Sequence, residues 1–138
     1  MKSTLEAGTT HTETIAVDTE RTIAFMGDAL RVYATPWMVR DVEHTCRNLL
    51  LKHHDAGEDS VGARVEIDHL GPTLLGQKVT VTAKVAEVAL PRVVFEVDVK
   101  DEIDTVGRSK HVRFVVDTTK QGERLQKKAA KVKAAAGG

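Results

Sequence analysis

Three side chains of this sequence have the types and positions needed for acid–base or nucleophilic chemistry: Thr35, Glu43 and His69. A carboxylate acts as a nucleophile or a base, an imidazole moves a proton, and a hydroxyl orients either group. Thr35 and Glu43 are eight residues apart, slightly more than two turns of a helix, and His69 ends a strand-like segment. We expect the three to meet at the rim of one apolar surface, although the spacing fixes no distance between them.

Each of the three also has a purely structural interpretation, and the pattern alone leaves both open. Thr35 before Pro36 is typical of a helix N-cap. Glu43 can pair with Arg47, four residues further along a helix. His69 can be a partly buried histidine whose hydrogen bonds are satisfied within the protein.

A helix must carry Thr35 and Glu43. The Thr35-Pro36 pair predicts that it begins there, and the helical pattern continues to about His54, ahead of a glycine. Residues at helical spacing predict its buried face: Met38, Val42, Thr45, Cys46 and Leu49. Glu43 falls on the shoulder of this apolar stripe.

A curved sheet must carry His69. From Ser60 the period changes to two, and one side of the predicted strand then consists of Val61, Ala63, Val65, Ile67 and His69, with Gly62 on the other. Three more strand-like segments follow: Gln77 to Val88, Arg92 to Lys100 and Thr105 to Asp117. His11 to Val17 predicts a weaker first strand, and Asp18 to Arg31 a short helix or lid-like segment.

One long helix and four consecutive strands indicate an α+β fold in which a curved antiparallel sheet wraps around a central helix. The other face of the sheet and its edge strands then still need cover, which favours a dimer. We expect one domain over residues 1–119, followed by a Lys/Ala-rich C-terminal tail over residues 120–138 that begins as a solvated helix and frays at its final glycines.

Composition excludes several classes of protein. Twenty basic and twenty acidic residues cancel, so neither a nucleic acid nor an anionic membrane is the expected partner. Cys46 is the only cysteine, so an intramolecular disulfide cannot form, and its apolar neighbours predict a core position. His44, His53 and His54 make a poor metal set, and we expect no metal and no cofactor. No segment predicts a signal peptide or a membrane span, which favours a cytoplasmic location.

Through several matching residues at the same spacing, the sequence resembles the fluoroacetyl-CoA thioesterase-like branch of the hot-dog proteins. The resemblance covers roughly Tyr33 to Asp117, and the matching residues are Ala34-Thr35-Pro36-Trp37-Met38-Val39, Glu43, Val61-Gly62-Ala63, His69, the turn at Pro72, Val79-Thr80-Val81-Thr82-Ala83 and His111-Val112-Arg113. Two departures stand out. The segment from Thr22 to Arg31 is shorter than the family's Phe-rich lid and offers Phe25 and Met26, and Arg40-Asp41 replaces a small and an apolar residue.

The resemblance implies a hot-dog homodimer that hydrolyses an acyl-CoA thioester near the dimer interface. It implies Thr35, Glu43 and His69 as the catalytic group, and a backbone N–H from Gly62 at the thioester carbonyl. Further substrate contacts would come from Arg113, Phe25 and Val39. The departures leave the acyl group open, and we expect a short chain.

Two other functions fit the same fold. A hot-dog enoyl-CoA hydratase usually carries an Asp and a His five residues apart, and Asp41 has no histidine at that spacing. A non-catalytic acyl-CoA-binding module needs the same apolar walls as an enzyme, and the sequence leaves it open.

Overall fold

The computed structural model describes residues 1–137, in which a five-stranded antiparallel sheet wraps around one helix. The elements in chain order are β1 Thr10–Ala16, β2 Thr22–Ile23, β3 Val32–Tyr33, α1 Thr35–Leu51, β4 Glu58–His69, β5 Lys78–Ala89, β6 Arg92–Lys100, β7 Thr105–Asp117 and α2 Thr118–Gly137. The sheet order is β1-β5-β6-β7-β4, and β2 and β3 form a separate two-stranded ribbon. The predicted α+β architecture is confirmed. Gly138, the end of the predicted tail, lies outside the described residues.

Helix α1 is the centre of the core. All five residues of its predicted apolar face are buried, and it packs against β1, β4, β5 and β7. The sheet supplies alternating buried residues to this contact, among them Val81, Phe95 and Val99. Burying a side chain of this size stabilises the fold by roughly 1.5–3 kcal/mol. The helix ends three residues earlier than predicted, because the chain turns at Lys52 and the carbonyl of His53 accepts a hydrogen bond from the N–H of Lys2 (2.8 Å).

The predicted N-cap is wrong by one residue. Ala34, in extended conformation, is the N-cap, and Thr35 is already the first helical residue. No side chain caps this end of the helix, because alanine has no side-chain oxygen, and the Thr35 hydroxyl is hydrogen-bonded to His69. The hydroxyl that the local sequence predicted to cap the helix is therefore used in a tertiary contact with His69.

A β-bulge corrects the predicted faces of β4. Gly62 pairs with Arg113 and Arg64 with Val112, so Ala63 is an extra residue on this strand. Because the extra residue reverses the alternation, Gly62 lies on the same inner face as His69, although the two are seven positions apart. The prediction that placed Gly62 on the opposite side is wrong for this reason.

The outer face of the sheet is charged rather than apolar. One row across four strands alternates in sign, with Lys84 opposite Glu96, Glu96 opposite Lys110 and Lys110 opposite Glu66. Opposite charges on facing strands attract each other and stay hydrated. This face needs no covering surface, contrary to the prediction, so the requirement for cover remains only at the sheet edges.

The segment from Asp18 to Arg31 is largely irregular. It contains the short strand β2 and a single 3-10 turn, Asp28–Leu30, in place of the short helix that we considered. Gly27 before the turn has φ 96°, a conformation that favours glycine. None of the helices within residues 1–137 is both long and apolar enough to cross a membrane.

Candidate active site

Thr35 and His69 form the first pair of the site. Thr35 Oγ1 is hydrogen-bonded to Nδ1 of His69 at 2.7 Å, between the first residue of α1 and the last residue of β4. The His69 ring is half-buried and stands edge-on to the ring of Tyr33, with centroids 6.3 Å apart. Burial lowers the pKa of His69, and the backbone of Gly71 acts in the opposite direction. The imidazole is therefore neutral near pH 7 and free to accept a proton.

Glu43 and Gly62 form the second pair. The Glu43 carboxylate lies against the Gly62 backbone so closely that an added Cβ at Gly62 would stand 2.5 Å from Oε1. Glu43 does not pair with Arg47, the structural alternative, because Arg47 instead binds Asp59 through two hydrogen bonds of 3.0 and 2.7 Å. Glu43 as a whole is half-buried.

Behind Glu43 lies a buried polar pair on β7. Arg113 donates to the hydroxyl and carbonyl oxygens of Ser60 (2.8 and 2.9 Å), and its Nη1 lies 3.2 Å from Nε2 of His111. The other ring nitrogen of His111 lies 2.8 Å from the carbonyl oxygen of Arg64, so Nδ1 carries the proton and Nε2 accepts from Arg113. Burial lowers the pKa of both side chains, and the negative charge of Glu43 opposes this effect at each.

Sequence reasoning assigned no role to His111 and only a substrate contact to Arg113. In the structure Arg113 is 4% exposed and bonds to protein groups. The signal that was available is their spacing: residues 111 and 113 of one strand point to the same face.

A second buried cluster, also missed, lies beside His69. Asp41 accepts hydrogen bonds from Arg21 (3.0 and 3.1 Å) and from the Tyr33 hydroxyl (2.5 Å), and it is 1% exposed. Burial and the adjacent Asp41 raise the pKa of Tyr33, so it stays protonated. The guanidinium groups of Arg21 and Arg40 both stack on Trp37, about 5 Å from the ring centroid. This cluster ties the lid-like segment to α1, because Arg21 belongs to that segment and Asp41 to the helix.

The other predicted residues fall in different places. Val39 is half-buried on α1, four residues from both Thr35 and Glu43, and so lies between them on one helix face. Phe25 is 88% exposed in the lid-like segment. Cys46 is buried in the core, and burial raises the pKa of its thiol. Among residues 1–137 no three potential ligands are grouped to hold a metal ion.

The two pairs are separate within one chain. Thr35 and Glu43 are eight residues apart on the same helix, which corresponds to about 12 Å along its axis. The hydroxyl and the imidazole therefore sit at the start of α1, and the carboxylate sits two turns further on.

The fold that carries these residues is already known from other proteins. A family model described as fluoroacetyl-CoA-specific thioesterase matches residues 17–119, which include both pairs and Arg113. The chain belongs to this family. It is 27% identical over 135 residues to the fluoroacetyl-CoA thioesterase of Streptantibioticus cattleyicolor, covering 93% of this chain and 97% of the relative.

Solved structures support the same assignment. A Thermus thermophilus protein of the thioesterase superfamily superposes with a TM-score of 0.86 at 27% identity, covering 94% of this chain and 96% of the other. A hot-dog-like protein from Thermanaerovibrio acidaminovorans gives a TM-score of 0.81 at 27% identity, with 88% and 91% covered. The family, the hot-dog fold and the thioester-hydrolysing class predicted from the sequence are confirmed.

Proposed function

We propose that this family member hydrolyses a short-chain acyl-CoA thioester to the free acid and CoA, with Thr35, Glu43 and His69 as its catalytic residues. The observation that carries the proposal is the hydrogen bond between Thr35 and His69, because it joins a hydroxyl at the start of α1 to a half-buried imidazole whose pKa is lowered by burial. A fluoroacetyl-CoA-specific thioesterase that is similar to this chain has been crystallised, as a mutant, with fluoroacetate and CoA. Acyl-CoA is thus the substrate class to test.

The chemistry suits these groups. A thiol pKa of about 8.5 makes the thiolate a good leaving group. Glu43 adds to the carbonyl, or directs water to it, and the backbone N–H of Gly62 polarises the carbonyl oxygen. When Glu43 directs water, His69 accepts a proton from that water, the C–S bond breaks, and His69 passes the proton to the departing sulfur while Thr35 holds the ring. When Glu43 adds to the carbonyl, the C–S bond breaks to leave an anhydride on Glu43; water then hydrolyses the anhydride, and His69 carries a proton of this water to the thiolate. Water supplies the oxygen of the acid and, overall, the proton of the thiol.

We propose further that the enzyme is a homodimer that pairs through β4. This strand is an edge of the sheet, bonded only to β7, and it carries exposed apolar residues at Val61 (40%) and Val65 (38%). Exposed apolar edge strands of this length invite pairing with another chain. Gly62 and His69 lie on this strand, so a dimer across β4 brings both pairs to the interface.

In that dimer each site takes its two pairs from different subunits. Glu43 of one chain serves the thioester held by Thr35 and His69 of the partner, because about 12 Å of helix separates the pairs within a chain. Mixing Glu43→Ala and His69→Ala subunits tests this arrangement. The mixed dimer has one site with all three residues intact, so we expect the mixture to recover a substantial fraction of activity after subunit exchange. Activity no higher than that of the separate variants would exclude shared sites.

A panel of acyl-CoA substrates with a colorimetric thiol readout tests the function itself. We expect turnover on short chains, with His69→Ala and Glu43→Ala each lowering kcat by about 10²–10⁴-fold. His44→Ala is the matched control, because His44 is exposed and adjacent to Glu43 on α1, and it should retain wild-type activity. Tight acyl-CoA binding without thiol release would support the binding module, and hydration of enoyl-CoA would support the hydratase.

The acyl group and the location remain predictions. The exposed Phe25 and Met26 of the lid-like segment provide little apolar surface for a long chain, which favours a short acyl group. The cytoplasmic location also stays a prediction.

A further inference from the structure

Beyond its first turns, helix α2 packs against no other element of the described residues. It runs for 20 residues and contains no buried residue, and the family model extends only to its second position. Its root is fixed, because the N–H and hydroxyl of Thr118 both donate to the carbonyl oxygen of Gly57 (2.8 and 3.0 Å). The rest of the helix extends over about 30 Å.

One side of α2 is a basic face, which we define by five residues. At 100° per residue they fall within an arc of about 100°: Lys120, Arg124, Lys127, Lys128 and Lys131. All five are exposed, and none forms an ion pair among the described residues. This face is therefore available to a ligand.

The charges of the protein are divided between two parts. Residues 118–138 carry six basic residues and one acidic residue, a net charge of +5. Residues 1–117 carry 14 basic and 19 acidic residues, a net charge of −5. The overall neutrality of the chain thus conceals an acidic catalytic body and a basic helix.

This division matters for a polyanionic substrate. The nucleotide end of acyl-CoA carries a phosphomonoester and a diphosphate, which the acidic body repels and the basic face attracts. A membrane surface fits the helix less well, because its only large apolar residues are Leu125 and Val132. We infer that the basic face of α2 binds the phosphates of the CoA nucleotide, while the acyl end enters the site. This inference rests on the proposed function.

The position of α2 agrees with this role. It continues β7, which carries Arg113, and β7 ends opposite Glu58, four residues before Gly62 on β4. The helix therefore starts at the end of the sheet that lies nearer Gly62 than His69, and it projects outward from there. Contacts at the nucleotide hold substrate and transition state equally, so they lower KM and leave kcat unchanged.

A variant in which all five residues of the basic face are replaced by glutamine tests the inference. Glutamine keeps the helix propensity of lysine and arginine, and circular dichroism checks that α2 is retained. At low salt we expect KM for acyl-CoA to rise about tenfold or more with kcat unchanged, and the difference to shrink in 0.5 M salt. The corresponding acyl-pantetheine thioester, which lacks the nucleotide, should be hydrolysed equally by both proteins.

The matched control neutralises five exposed lysines of the body: Lys2, Lys78, Lys84, Lys100 and Lys110. If it raises KM as much as the α2 variant, net charge alone is responsible and the inference is wrong. An unchanged KM in the α2 variant, or equal losses on acyl-pantetheine, would also overturn it.

Calorimetry with CoA itself separates this inference from the proposed function. We expect the Kd of CoA to rise about tenfold in the α2 variant, whether or not any thioester is hydrolysed. Hydrolysis with CoA affinity independent of α2 would leave the proposed function intact and reject the helix. CoA affinity that depends on α2 without any hydrolysis would do the reverse. Binding of the basic face to phosphatidylserine vesicles, with no effect on CoA affinity, would assign the helix to a membrane instead.

Discussion

At Gly62 an added methyl group would collide with Oε1 of Glu43, while His111 Cε1 would stand at an ordinary 3.4 Å. The colliding atom is the end of a flexible side chain, so Glu43 can swing away at little cost to the fold. We expect Gly62→Ala to keep a near wild-type melting temperature and to lower kcat about 10²-fold, because a misplacement of about 1 Å has that effect in active sites. Steady-state kinetics and a thermal melt measure the two quantities.

Gly122→Ala is the control for that substitution. Gly122 lies in α2 with no atom within 4 Å of an added Cβ, so alanine should stabilise the helix and leave turnover unchanged. Wild-type kcat in Gly62→Ala would mean that the Glu43 carboxylate is not placed by this contact.

The chemical groups at the residue scale were predictable from the sequence, but their contacts were not. Thr35, Glu43 and His69 stand out by type, and the structure joins Thr35 to His69. The contact between Glu43 and Gly62 was hidden, because it depends on a bulge that leaves the local alternation of Gly62-Ala63-Arg64 looking regular. His111 was passed over because a histidine in a Val-rich strand resembles a core residue.

At the scale of elements, α1 is fastened to the chain before it by Asp41. Its buried carboxylate accepts from both Arg21 and Tyr33, and Tyr33 stands against His69. We expect Asp41→Asn to cost about 3 kcal/mol of unfolding free energy, because it leaves a partly buried guanidinium without its main counter-charge. Urea denaturation measures the loss.

Asp18→Asn is the matched control, because Asp18 is the exposed partner of the same Arg21. It should cost less than about 1 kcal/mol. Equal losses in the two variants would show that burial of Asp41 does not determine its contribution.

The order of the strands was the element-scale feature that the sequence concealed. Alternation identified β4 to β7 one after another, yet β4 pairs with β7 at the edge of the sheet and not with β5. Pairing between distant strands depends on how the whole sheet closes around α1, and no local pattern records it. The helix, by contrast, was predictable because its apolar stripe repeats over several turns.

For the molecule as a whole, histidines set the response to mild acid. Burial lowers the pKa of His54, His69 and His111, and both ring nitrogens of His54 lack a hydrogen-bond partner among the described residues. A folded-state pKa below the unfolded value of about 6.5 means that the unfolded chain binds protons more readily. The contribution of these three histidines to stability is therefore fully present above about pH 6.5 and is lost as the pH falls below that value.

His54→Leu isolates one of these contributions. It removes two unsatisfied buried nitrogens. Between pH 7 and pH 5 we therefore expect the unfolding free energy to fall less steeply with decreasing pH, by a slope that corresponds to up to about one bound proton. The carboxylates with lowered pKa values, such as Asp59, titrate at lower pH and do not interfere. Urea denaturation at several pH values gives the slopes, and parallel curves for the two proteins would contradict the assignment.

The burial of Cys46 on the inner side of α1 has a practical consequence for anyone who studies this enzyme. It is the only cysteine in the chain, and no part of it reaches the surface. A thiol-reactive dye added to the native protein should therefore count liberated CoA with almost no background from the protein itself. When the same dye is incubated for hours with the enzyme in the absence of substrate, its slow reaction with Cys46 measures how often α1 separates from the sheet.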